Sequence, residues 1–126
     1  MPKQVPAVPH GAKPIGPYSI AAEAGGLVFV SGQVAVDPAT GQRLEGGASD
    51  QATRIMENLS LVLGDLGLGF ADVVKTTIFL VDVADFAAVN DVYRRYFRAA
   101  PPARSTVQVG ALPGGFLVEI EAVAAR

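Results

Sequence analysis

The segment Phe116-Leu117-Val118-Glu119-Ile120-Glu121-Ala122-Val123-Ala124 limits the fold more than any other stretch of the chain. Alternate residues of a strand point to opposite faces. Phe116, Val118, Ile120, Ala122 and Ala124 then share one wholly apolar face, and Glu119 and Glu121 share the other with Leu117 and Val123. A second strand-like run precedes it at residues 101–109. There Val107 and Val109 share a face with Ser105, and Arg104, Thr106 and Gln108 take the opposite one. Each run has a core face and a polar face, in a chain where only 17% of residues are charged. Two such polar faces can build a small pocket for an anion and a water molecule.

The 126 residues fit one domain, 1–126, long enough for a real core. Net charge is -2 and no run of Lys or Arg occurs, which argues against a dedicated nucleic-acid binder. Cysteine is absent, so disulfides and thiolate chemistry are excluded. The single histidine, His10, lies in a proline-rich stretch, and a zinc site would need carboxylates almost alone. No signal-peptide core is present, and no apolar run nears the about 18 residues of a membrane span, so a cytoplasmic protein is expected. Half the residues are apolar and mean hydropathy is +0.35. A small monomer hides that much apolar surface with difficulty, so a homo-oligomer is expected; the alternative is a bias toward small Ala and Val.

Five of the nine prolines fall in the first 17 residues, which predicts an extended, helix-free arm. A first strand is expected over Tyr18 to Ala22, a hairpin turn at Gly25-Gly26, and a second strand from Leu27 through Ser31-Gly32-Gln33. Gly32 inside that strand predicts a bulge or a close backbone approach. Ser49 or Asp50 can cap a first helix with Ala52, Ile55, Met56, Leu59, Val62, Leu63 and Leu66 on its apolar stripe, and Gly67 can stop it. Val73 to Val81 reads as a central strand. A second helix follows Asp82 or Asp85, with Phe86, Val89, Tyr93 and Phe97 as its stripe and Arg98 near its negative end. Pro101-Pro102 ends it.

The order is ββ-α-β-α-ββ. Two helices cannot cover both faces of such a sheet, so an α+β layer pair is expected, with a mixed sheet and both helices on one face. The other face, carrying Arg104, Thr106, Glu119 and Glu121, needs a cover that an identical subunit could supply.

Arg104 presents a rigid fork of donors suited to a carboxylate, or forms a structural ion pair with Glu119 or Glu121. A desolvated Glu119 or Glu121 can act as a general base, whereas a solvated pair is simply a polar sheet face. Asn90 sits inside the apolar stripe of the second helix and needs a partner, which favours a structural role. Tyr18 offers a hydroxyl or merely packs. Ser31-Gly32 offers a hydroxyl and an amide, but no histidine stands ready to make Ser31 a nucleophile.

Gly16-Pro17-Tyr18, Ser31-Gly32-Gln33, Val74-Lys75-Thr76-Thr77, Val89-Asn90-Asp91-Val92-Tyr93, Pro102-Ala103-Arg104-Ser105 and Glu119-Ile120-Glu121-Ala122 occur in order across nearly the whole chain. The ordered set resembles the Rid/YjgF family. That resemblance implies a chorismate-mutase-like fold and a homotrimer with active sites in the clefts between subunits. It implies hydrolysis of 2-aminoacrylate-type enamines and 2-imino acids, such as 2-iminopropanoate and 2-iminobutanoate, to 2-oxo acids and ammonia. Neither cofactor nor metal is implied. By position, Arg104 would grip the substrate carboxylate and Glu119 would activate the attacking water. Tyr18 would line the pocket near the imine, Ser31 and Gly32 would lie beside the bound acid, and Asn90 would support the site. Thr106 stands where many deaminases of the family carry Cys, which bears on substrate range.

Two other functions compete. A non-catalytic binder of small carboxylates, or a chaperone-like trimer, would use Arg104 but leave Glu119 without a task. An endoribonuclease or translation inhibitor, a label long attached to parts of this family, finds no pair of histidines and a slightly negative net charge here.

Overall fold

The Glu119 segment becomes the central strand of a five-stranded sheet. The computed structural model describes residues 2–126. In chain order the strands are β1 (Ala21–Ala24), β2 (Leu27–Gln33), β3 (Val73–Leu80), β4 (Ala103–Gln108) and β5 (Val118–Ala125), with helices α1 (Ala48–Asp65) and α2 (Phe86–Tyr93). In space they lie β1-β2-β5-β3-β4. Every neighbouring pair is antiparallel except β3–β4, whose parallel pairing is made possible by the crossover through α2. This is the α+β layer pair expected from the element order, with both helices on one face.

The helix-facing side holds the core. Val118, Ile120, Ala122 and Ala124 of β5, Ile78 and Leu80 of β3, and Val28 and Val30 of β2 are buried there against the stripe of α1. All seven stripe residues read from the sequence are buried. The helix starts at Ala48 with Gly47 at its N-cap and no side-chain cap, earlier than Ser49 or Asp50. Asp50 instead lies in the first turn, where its charge suits the positive end of the dipole. Gly67, in the left-handed region at φ 74°, ends the helix as expected.

β1 and α2 differ in their bounds from the sequence reading. β1 covers Ala21–Ala24 rather than Tyr18 to Ala22. Tyr18 and Ser19 belong to the turn before it, where the Tyr18 amide donates to the Gly16 carbonyl. α2 ends at Tyr93, before Phe97 and Arg98. Its last turns tighten, with the Arg95 and Tyr96 amides donating three residues back to Val92 and Tyr93. Phe97 is still buried, but through an aromatic cluster with Tyr93 at 4.7 Å and Phe70 at 5.2 Å.

The face of β4 is the larger correction. Directly paired residues share a face. Thr76 of β3 stands opposite Arg104, and Ile78 stands opposite both Thr106 and Ile120. Phe79 stands opposite Val107 and Glu119, and Thr77 opposite Ser105 and Glu121. Arg104 and Thr106 therefore lie on the helix side, and Glu119 and Glu121 lie on the open side. Val107, assigned to a core face by alternation, is 43% exposed on the open side, in the company of Phe29 and Leu27.

Candidate functional site

On the helix side, Arg104 is built into a cradle made by α2. Its Nη1 donates to Asn90 Oδ1 at 2.8 Å. Its guanidinium carbon lies 4.9 Å from the Tyr93 ring centroid and 5.6 Å from that of Phe86. Asn90 and Phe86 are one helical turn apart and Tyr93 follows at i+3, so one face of α2 presents all three to the arginine. Among the described residues, no carboxylate lies within ion-pairing distance of Arg104. The ion pair with Glu119 or Glu121 considered from the sequence does not form within the chain, because those carboxylates are on the other face. A hollow of about 370 Å³ opens beside Arg104, walled by Asn90, Tyr93, Arg94, Phe97, Pro101 and Pro102. A half-buried cation in a hollow whose walls hold no carboxylate is fitted to receive an anion.

Thr106 lies two residues along β4 on the same face. Its Oγ1 is buried and has no partner among the described residues. Tyr93 also supports the hollow from below. Its hydroxyl meets Thr76 Oγ1 at 2.6 Å in the core, and burial raises its pKa. The sequence placed Tyr93 on an apolar stripe and gave Phe86 and Thr76 no part in a site. The signal available was the i, i+3 and i+4 spacing of Phe86, Asn90 and Tyr93, once Arg104 was known to face α2.

On the open side, β2 makes room for Glu119. Between Val30 and Gln33 the register with β5 slips by one residue, so Ser31 and Gly32 stand opposite Glu121 alone. This is the bulge expected at Gly32. A Cβ built on Gly32 would come within 2.7 Å of the Glu119 carboxyl carbon, so only glycine leaves the carboxylate its place. Burial, and secondarily repulsion from Glu121, push the Glu119 pKa above the ordinary carboxylate value. A second hollow of about 470 Å³ lies on this face, lined by Tyr18, Ser19, Phe29, Ser31, Glu121 and the arm residue Lys3. Ser31 Oγ donates to the Ser19 carbonyl at 2.7 Å, which ties the Tyr18 turn to the bulge.

The structure thus sorts the candidates into two groups. Arg104, Asn90 and Thr106 belong to the helix side. Glu119, Gly32, Ser31 and Tyr18 belong to the open side.

A family model described as Endoribonuclease L-PSP matches residues 9–126. The chain belongs to this family, the Rid/YjgF family. The resemblance read from the ordered motifs is borne out. Among Rid/YjgF relatives, Protein DfrA of Myxococcus xanthus is 56% identical over 114 residues, covering 89% of this chain and 87% of that protein. A 2-iminobutanoate/2-iminopropanoate deaminase of Capra hircus is 46% identical over 112 residues, covering 89% of this chain and 82% of that protein. The crystal structure of E. coli TdcF with bound serine superposes with a TM-score of 0.90 at 38% identity, covering 98% of both chains. Relatives named as imine deaminases support a deaminase role for the Rid/YjgF chain in general terms. No helix among its described residues is long and apolar enough to cross a membrane.

Proposed function

We propose that the protein is a cytoplasmic hydrolytic deaminase of 2-imino and 2-enamino acids, which converts 2-aminoacrylate, 2-iminopropanoate and 2-iminobutanoate to 2-oxo acids and ammonia. The observation that carries this reading is Arg104, a half-buried guanidinium held by a neutral amide and two aromatic faces with no counter-ion among the described residues. Such a fork takes a carboxylate in a bidentate pair. The deaminase names of relatives and the serine bound to TdcF support an amino-acid-like ligand.

In the proposed reaction, Arg104 fixes the carboxylate and so orients the adjacent C=N carbon. Glu119 accepts a proton from water as the new C–O bond forms. It passes that proton to the imine nitrogen to give a carbinolamine. It then moves the carbinolamine hydroxyl proton to the same nitrogen as the C–N bond breaks, so that ammonia leaves and the C=O of the 2-oxo acid forms. A carboxyl with a raised pKa is suited to both transfers near neutral pH. Tyr18 and Ser31 lie on the same face as Glu119 and assist at the nitrogen and the acid. Thr106 tunes substrate range from beside Arg104. The scheme uses only these side chains and water.

Arg104 and Glu119 lie on opposite faces of one sheet. A single copy therefore supplies two half-sites, and we take the working enzyme to be a homotrimer in which the Arg104 half of one subunit meets the Glu119 half of another. A non-catalytic carboxylate binder would need the Arg104 half alone. An endoribonuclease is disfavoured, since the single imidazole, His10, is engaged by Asp65 at 2.6 Å.

The test is hydrolysis of 2-imino acids made in situ by an amino-acid oxidase, with semicarbazide competing for the imine. Wild type should cut semicarbazone formation and Arg104→Ala should not. Glu119→Ala should lose turnover while still binding a small carboxylate. Full activity in Glu119→Ala would refute the mechanism, and no acceleration by wild type across small and large side chains would leave the binding protein.

A further inference from the structure

Thr76 and Tyr93 place two hydroxyls in the core, 2.6 Å apart, on residues only 1% and 6% exposed. Val and Phe have nearly the same shapes. Replacing both members of a buried hydrogen-bonded pair by apolar groups of the same shape is close to neutral for stability. Stability alone therefore gives no reason for the pair. Its location gives one. Thr76 stands opposite Arg104 in the β3–β4 register, and the Tyr93 ring lies under the guanidinium. The hydroxyl bond ties the ring to the strand that neighbours β4 and holds its face toward the cation, while Phe97 packs against the same ring.

We infer that Tyr93, pinned by Thr76, is a positioning residue for Arg104, fixing the plane of its guanidinium so that Asn90 engages one Nη1 hydrogen and the remaining donors are presented to a carboxylate. Arginine loses much rotamer freedom when it binds. Holding it beforehand removes that cost from ligand binding. Its three neighbours here are all uncharged, so the arginine is held without being neutralised.

The test uses the full chain and two readouts. In NMR spectra of the arginine side chains, with Arg104 identified by its loss in Arg104→Lys, wild type should show separately resolved Nη signals from a guanidinium that does not rotate freely. In Thr76→Val/Tyr93→Phe those signals should average, while the melting temperature stays within a few degrees of wild type. In the imine assay the double variant should raise KM by about two- to tenfold, the factor expected for one newly mobile side chain, with kcat held. Averaged Nη signals in wild type would overturn the inference. So would unchanged signals in a double variant that melts normally. Should the double variant fail to fold, Thr76→Ser, which keeps a hydroxyl, should retain the resolved signals, and Thr76→Val should lose them; equal spectra would overturn the inference. The kinetic readout rests on the deaminase reading, and the NMR readout does not. Resolved, Tyr93-dependent signals without turnover would sink the deaminase and leave the positioning role standing.

Discussion

Glu119 is the residue whose environment makes the sharpest statement about pH. Its pKa is raised first by burial and then by Glu121, two residues along the same face. A general base must be ionised, so the acid limb of kcat/KM should lie above the ordinary glutamate value of 4.5. Glu121→Gln removes the second cause and should move that limb to lower pH. An acid limb that stays put in a pH–rate profile of Glu121→Gln would detach the limb from this pair. The same shift has a stability consequence. Because the folded pKa is above the unfolded one, the folded chain holds more protons in the window between them, and stability falls as pH rises through that window. Glu119→Gln should therefore melt higher than wild type at pH 7 and about equally at acid pH. A residue that is better for the fold when neutral, yet charged at working pH, is the mark of a group kept for chemistry.

At the scale of elements, the β2 bulge places the base and α2 places the arginine. Gly32→Ala would push a methyl group against the Glu119 carboxylate, the far end of a flexible side chain that can turn aside. The variant should fold with little change in melting temperature and lose about 100-fold in turnover, the order expected for a displacement near 1 Å. Turnover near wild type in a single-substrate assay would mean that Glu119 acts from another position. The bulge was legible in sequence because a glycine inside a β-branched run signals close approach; what approaches was not, since Glu119 lies 87 positions away and comes beside it only through the β2–β5 register. The core face of β5 was legible for the same reason that it is the core: five apolar residues alternate without a break. β4 misled. It is a short edge strand, and its valine, Val107, sits on the uncovered side, while its arginine turns inward to aromatic rings and an amide that α2 supplies. Alternation reports which residues share a face, but not which face meets the helices. The end of α2 was missed because Phe97 is buried by an aromatic cluster rather than by continued helix.

For the whole molecule, the open face decides the behaviour. Phe29 is 50% exposed, Val107 43% and Leu27 39%, all on the side opposite the helices. Apolar side chains grouped on one uncovered sheet face mark a contact surface. If three copies close over this face, Phe29→Asp should shift light scattering from the mass of three chains to that of one and abolish imine hydrolysis, because the two half-sites part. The Arg104 signals, which report the cradle within one copy, should persist. A Phe29→Asp protein that is monomeric and fully active would show that one chain suffices. The strand order β1-β2-β5-β3-β4 has one more consequence. Among the described strands β5 alone bridges a β1–β2 hairpin and a β3–β4 pair, and it follows the other four in the chain. Until residues 118–125 emerge, the nascent chain holds two separated half-sheets with no strand between them, so the sheet cannot form as one unit before β5 is made. The apolar flank of each half then waits exposed, and the lifetime of that wait is set by translation speed and by whatever shields the growing chain.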